Sequence, residues 1–273
     1  MKKVLFIVFS IISWTTVSAQ NDSVAVDTVT GSEVKALAAA MNNDLTKGEA
    51  DSAYIRNDYA SAIQHYEDLL KEKGESADVY YNLGNSYYKS DNIAKAILNY
   101  ERALLLKPGD NDIRFNLEMA RSKTVDKVNP VSEMFFVTWT KSLMNTMGAD
   151  SWGRWAITSF ILFIFSLIIF IFGKQIVFKK IGFATAILFF LVVVVTNIFA
   201  YQQKDELTDR ANAIVISPSI TVKSTPNKGG TDLFILHEGH KVSIKDNSMK
   251  EWKEIRLEDG NVGWVPADAI EVI

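Results

Sequence analysis

The chain has 273 residues, a formal net charge of −3 and no cysteine. That length holds two small domains besides any membrane segment, and the charge speaks against a general nucleic-acid binder, which needs a basic face. The missing cysteines exclude disulfides, thiol catalysis, zinc–cysteine sites, iron–sulfur clusters and a lipid-anchored cysteine. In chain order, residues 1–19 read as a secretory signal: Lys2 and Lys3 give a positive start, Val4 to Ile12 an apolar centre, and Val17-Ser18-Ala19 a small-residue cleavage site. An uncleaved anchor is the competing reading, and the small residues at the right offsets favour cleavage. Residues 20–42 combine a polar leader with a first helix that starts near Glu33.

From Asn43 a repeat sets in. Aligning 43–76 with 77–110 places Ala62 over Ala96, Ile63 over Ile97, Tyr66 over Tyr100 and Glu67 over Glu101. The offset of 34 residues is the period of a helix–turn–helix solenoid unit. Tyr80, Leu83-Gly84, Tyr87, Ala96, Tyr100, Ala103 and Pro108 stand at signature spacings, and in these the second copy resembles the tetratricopeptide family. The first copy is weaker, with Glu49 where leucine is expected and Gly74 in place of proline. Residues 111–123 repeat the opening helix once more, Phe115-Asn116-Leu117 over Tyr81-Asn82-Leu83, as an end cap expected to have a polar outer face. The repeat domain is therefore read as 43–128.

Residues 129–155 are rich in aromatics, with Phe135, Phe136, Trp139, Trp152 and Trp155 among few charges. They are read as an interfacial segment in which a helix over 132–147 lies on the membrane and the tryptophans line the headgroup level; a helix packed on the repeats is the alternative. Two apolar runs follow, at 156–173 and 181–200. Each approaches the roughly 20 apolar residues that cross a bilayer core of about 30 Å. The link 174–180 carries Lys174, Lys179 and Lys180 and no acidic residue, which places it in the cytoplasm and both flanking domains outside. Core helices of a soluble domain are the competing reading.

Residues 211–273 read as all-β. Alternation shows at Ile220-Val222, Val242-Ile244 and Ile255-Leu257, and Asp259-Gly260 is a two-residue hairpin signal. Four or five short strands are expected, closed into a small barrel. Trp252, Asp259-Gly260, Gly263-Trp264-Val265 and Ile270 make this segment similar to bacterial SH3-type domains. The fold class is thus a multidomain membrane protein with all-α tetratricopeptide repeats, a two-helix transmembrane hairpin and a small all-β SH3-like barrel.

No catalytic constellation emerges, and the chain is read as a non-enzyme without cofactor or metal. His237-Glu238-Gly239-His240 has a spacing of three, where H-E-x-x-H on a helix needs four. A turn at Gly239 would bring the histidines together, yet no third ligand is evident, and surface-loop histidines are the better reading. A metal-dependent hydrolase using this pair stays as a third hypothesis. Binding surfaces remain. The tetratricopeptide resemblance implies a concave groove faced by Tyr81, Asn85, Tyr88 and Lys89, with Asn82 and Asn116 near its edge. Amide side chains of this kind hold a peptide backbone or a terminal carboxylate. Tyr80, Tyr87 and Tyr100 are read as packing. In the β segment Trp264 serves either a ligand groove or the core, with core favoured.

The order signal, repeats, hairpin, SH3-like domain, together with the Phe115-Asn116-Leu117 cap and the tryptophan-rich approach to the membrane, is similar to the BatE-type tetratricopeptide proteins of the Bacteroides aerotolerance (Bat) operon family. The resemblance implies a scaffold in the bacterial inner membrane that recruits envelope proteins. Its family neighbours are von Willebrand factor A-type membrane proteins and, indirectly, a MoxR-type ATPase, linked to stress or oxygen tolerance. The alternative is a membrane-tethered protein that binds peptidoglycan through the SH3-like domain.

Overall fold

A computed structural model describes residues 47–126 and 134–273. The residues read as signal, leader and first helix, the start of the first repeat, the last two residues of the repeat domain (127–128) and residues 129–133 of the aromatic segment lie outside the described residues.

Helix α1 occupies residues 47–55, α2 Tyr59–Lys73, α3 Ala77–Lys89, α4 Ile93–Leu106 and α5 Asn111–Arg121. The turns within the two repeats share one design. Asn57 and Asp91, 34 residues apart, both take a positive φ of 61°, which short polar side chains tolerate. Each is followed by an N-cap: Asp58 accepts from the Ser61 amide at 3.2 Å and Asn92 from the Lys95 amide at 3.1 Å. Such turns make antiparallel helix pairs, and their apolar faces meet in one core built around Tyr66, Tyr100, Ile97, Leu98, Ile113 and Leu117. Gly84 allows the close approach. A Cβ there would sit 2.7 Å from two ring carbons of Tyr100. The end helix α5 does not present a wholly polar face. Phe115 is 68% and Met119 38% exposed, because they stand at the groove-lining offsets of Tyr81 and Asn85.

Helix α6, Phe135–Met144, leads into α7, Ala149–Phe172, and α8, Ile176–Asp209. Both long helices outrun the apolar stretches expected at 156–173 and 181–200. Lys179 and Lys180 belong to the first turns of α8, so the link shrinks to Gly173, Lys174 and Gln175. Helical hydrogen bonding continues where hydropathy stops, through Gln202–Asp209, until Arg210 takes a left-handed φ of 40°. The pair packs through Trp152, Ala156, Ser159 and Ser166 of α7 against Gly182, Ala186, Thr196 and Gln203 of α8. Small residues permit this contact: a Cβ on Gly182 would come within 2.7 Å of the Phe170 backbone nitrogen. The outward faces stay apolar and exposed. Both helices are long and apolar enough to cross a membrane, with mean hydropathies of 2.6 and 2.5 over their best windows.

The C-terminal segment forms seven strands, β1 Asn212–Val215, β2 Ser219–Lys223, β3 Asp232–His237, β4 Lys241–Asp246, β5 Trp252–Arg256, β6 Val262–Pro266 and β7 Ile270–Val272. They make an antiparallel sheet in the order β3-β2-β6-β5-β4-β1-β7, with bulges after Val222 and Ile244. This is more than the four or five strands expected, since β1 and β7 are too short to show alternation. The Asp259-Gly260 hairpin forms, with a longer connection than two residues. Arg256 pairs with Val262, the Leu257 amide donates to the Asn261 carbonyl at 2.9 Å, and Gly260 is left-handed at φ 93°. Three residues ending in a left-handed glycine are the next commonest hairpin loop.

Sheet and repeats share a core, because Ile214 and Ile273 pack among the repeat residues. Around that contact Glu101, only 5% exposed, receives Arg121 from α5 and Lys241 from β4, the latter at 2.9 Å, and Arg102 bonds Glu271 at 3.1 Å. Burial pushes the Glu101 carboxyl up, but the cations Lys241 and Arg121 outweigh it and hold the group below the ordinary carboxylate range.

Candidate peptide-binding groove

The first helices of the three units, α1, α3 and α5, line one side of the array. Their hydrogen bonds repeat with the sequence. Asp51 Oδ1 accepts from the Tyr66 hydroxyl at 2.5 Å and from Asn82 Nδ2 at 3.3 Å. At the positions 34 residues on, Asn85 Oδ1 accepts from the Tyr100 hydroxyl at 2.7 Å and from Asn116 Nδ2 at 2.9 Å. Asn116 Nδ2 also donates to the Tyr81 hydroxyl at 2.9 Å. Each module ties a first helix to its own second helix and to the first helix of the next unit. The tyrosines remain donors throughout the ordinary pH range. Burial, and for Tyr66 the bond to Asp51, pushes their hydroxyl pKa values up.

The sequence-predicted groove residues therefore divide. Tyr81, Asn82, Asn85 and Asn116 come together as a hydrogen-bonded floor, each half-buried. The carbonyl oxygen of Asn85 is already occupied by two donors, while its Nδ2 has no partner among the described residues. Tyr88 is half-buried with Lys123 Nζ 4.2 Å over its ring, and Lys89 is exposed. Tyr80, Tyr87 and Tyr100 are buried in the core.

Other members of the groove were not singled out from the sequence. A cavity of about 250 Å³ is lined by Asp51, Tyr54, Ile55, Tyr66, Asn82 and Asn85. Ile55 is 78% exposed, and Phe115 extends the row on α5. The 34-residue offset could have found them, since Asp51 stands under Asn85, Tyr54 under Tyr88 and Phe115 over Tyr81. The weak first repeat hid Asp51, Tyr54 and Ile55, whereas Phe115 aligns with Tyr81 but reads as part of the end cap. Chemically, the groove is a row of aromatic and aliphatic surfaces above fixed amides, suited to an extended peptide with apolar side chains.

Trp264 does not enter the core. Gly263 and Val265 point inward, and Trp264 stands on the outer face of β6, half-buried. There it is cross-strand to Lys223 of β2 and Glu254 of β5. Alternation forces this, since Val265 is completely buried.

The histidines are not surface-loop residues. Gly239, with φ +83°, turns the chain so that both meet Asp126. Asp126 Oδ2 accepts the His237 amide at 2.7 Å, its Oδ1 lies 2.8 Å from His237 Nδ1, and His240 Nδ1 is 3.9 Å from Oδ2. His240 is buried, and its Nδ1 makes no hydrogen bond among the described residues. Among the described residues no group of three or more His, Cys, Asp or Glu is arranged to hold a metal ion. The cluster fastens β3 to the segment after α5. Burial pushes the His240 pKa below its ordinary 6.5, against the opposing pull of Asp126, Glu258 and Asp259. The unfolded histidine then binds a proton that the folded one refuses, so stability falls as pH drops below about 6.5. Burial would raise Asp126, but its bonds to His237 hold it below 3.8, so its contribution is lost only in stronger acid. Melting temperature followed between pH 7.5 and 5.5 should decline, and His240→Asn should flatten that decline; an unchanged slope would remove His240 from the account.

Comparison with protein families matches residues 77–110, α3 to the turn after α4, to the family described as Tetratricopeptide repeat. The chain is thus a tetratricopeptide-containing protein, and such repeats are protein–protein interaction modules. No curated protein sequence matches it.

Proposed function

We propose that the protein is a membrane-anchored scaffold whose repeat groove captures an extended segment of a partner protein. The observation that carries this reading is the exposed Ile55 and Phe115, with half-buried Tyr88 between them, beside a floor of Tyr81, Asn82, Asn85 and Asn116 tied together by the two repeated hydrogen-bond modules. A prearranged floor reduces the ordering that binding must impose. The anchor is the α7–α8 hairpin. Its best apolar windows are only 17% and 11% buried, unlike helices in a soluble core. Lys174, Lys179 and Lys180 still cluster at its tip, which favours a cytoplasmic tip with the repeats and sheet in the periplasm. In this reading the chain is not an enzyme and needs no cofactor. The order of its parts supports a Bat-type envelope assembly, with von Willebrand factor A-type membrane proteins as partners and a MoxR-type ATPase joined indirectly.

The test is crosslinking in intact cells of the tagged full chain and of a triple variant, Ile55→Ala, Lys89→Ala and Phe115→Ala. All three residues are exposed, so folding stability should change by about 0.5 kcal/mol or less at each site. Recovery of a von Willebrand factor A-type membrane protein with the parent and its loss with the variant is the expected result. Equal recovery would remove the groove from the account.

One observation favours a second reading. The outer face of the sheet carries Trp264, with exposed Val262 two residues away on β6 and exposed Ile235 on β3, a surface that an SH3-like module could use to hold peptidoglycan. Sedimentation of the full chain with purified peptidoglycan, lost on Trp264→Ala, would put that reading ahead.

A further inference from the structure

Helix α6 has one buried residue, Met144. Phe135 is 83% exposed, Phe136 60%, Trp139 57% and Leu143 38%. Their spacing puts them along one stripe of the helix. The other side carries half-buried Val137 and buried Met144, and Thr138, Lys141, Ser142 and Asn145 line a cavity of about 550 Å³ whose lining also includes Leu104–Leu106 of α4. The apolar stripe thus faces away from the repeats. That disposition argues against the alternative in which α6 packs its aromatic face on the repeat domain.

The C-terminal end of α6 is fixed in height. The Met144 carbonyl accepts from Trp152 Nε1 at 2.9 Å and from Gln203 Nε2 at 2.8 Å, and the Met147 carbonyl accepts from the same Gln203 nitrogen at 2.7 Å. Trp152 packs edge-on against Phe199, with ring centroids 5.1 Å apart. These residues mark the level at which the apolar run of α7 begins and that of α8 ends. Trp152 is buried in this lock and so does not itself face the headgroups; Trp155, 53% exposed, stands one turn along. A helix of ten residues is marginal by itself in water, and a bare aromatic stripe needs cover.

We propose that α6 lies in the surface of the membrane that the hairpin crosses, with Phe135, Phe136, Trp139 and Leu143 immersed at the boundary of headgroups and acyl chains. The proposal rests on the reading of α7 and α8 as membrane-spanning. Lipid is the cover that the position selects, since the stripe starts from the level where the chain leaves the apolar core. An immersed α6 and the spanning pair together set the height of the repeat groove above the bilayer.

The chain has no cysteine, so single labels are unambiguous. Full-length Phe136→Cys, Ser142→Cys and Leu191→Cys proteins, each carrying an NBD fluorophore, would be reconstituted into vesicles of phosphatidylethanolamine and phosphatidylglycerol. Nitroxide lipids report immersion and iodide reports water. The label at 136 should lose fluorescence to shallow nitroxides and resist iodide, the label at 142 should do the opposite, and the label at 191 should respond to deep nitroxides. Quenching of 136 by iodide alone overturns the proposal. So does shielding from both quenchers, whether by a second copy or by another protein surface; self-quenching relieved by unlabelled chain identifies the former. A label at 191 that deep nitroxides never reach would instead defeat the membrane-spanning reading itself.

Discussion

Tyr100→Ala is expected to destabilise the repeat domain by about 3–5 kcal/mol, the range for deleting a large buried aromatic. Tyr100 is 1% exposed, its ring fills the space left by Gly84, and its hydroxyl donates to Asn85. Truncation therefore empties the contact between α3 and α4 and withdraws one donor from the groove floor. Tyr100→Phe separates the two effects. The ring stays, only the bond to Asn85 is lost, and a loss of about 1 kcal/mol is expected. Denaturant unfolding of the full chain in detergent, followed by circular dichroism, would measure both. Equal losses for the two variants would mean that the hydrogen bond, and not the ring, dominates this site.

Replacing Glu101 with alanine should be the second large effect, at about 2–4 kcal/mol. Breaking a buried ion pair from one side leaves charge without compensation and typically costs about 3–5 kcal/mol. The lower range applies because Arg121 and Lys241 are 37% and 29% exposed and can take up water. The residue lies where α4, α5 and β4 meet, so the expected readout is local: earlier proteolysis between repeats and sheet, before the repeats themselves unfold. Lys241→Met should weaken the junction less, since Arg121 still neutralises the carboxylate. A Glu101→Ala protein as resistant as the parent would show that the Ile214 and Ile273 packing, with Arg102–Glu271 and the Asp126–His237 bonds, holds the sheet in place without Glu101.

The hydrogen-bond modules explain why the groove was only partly legible. Asn82, Asn85 and Asn116 read as polar residues on a solvent-facing helix, and their types alone cannot tell ligand contacts from framework. The partner of each lies on another helix: Asp51 is 31 residues from Asn82, and Asn116 is 31 from Asn85. A one-dimensional reading could place these residues on the right face without showing that their oxygens were already occupied. The histidine pair is similar. Spacing leaves His237 and His240 unconnected on a strand, and only the left-handed Gly239 and the return of Asp126 join them.

Periodicity determined what rests on local chemistry. The 34-residue offset yields the repeated caps at Asp58 and Asn92 and the tyrosines at 66 and 100, while the two apolar runs yield a pair of long helices. These follow from the sequence because caps, helix faces and hydropathy depend on neighbours within a turn or two of chain. The tertiary structure decided the rest: that Glu101 joins three elements, that Trp264 stands outside the sheet core, and that the aromatic stripe of α6 turns away from the repeats. Each depends on which distant surface is available to cover a side chain, and burial by a distant partner leaves no local mark in the order of residues.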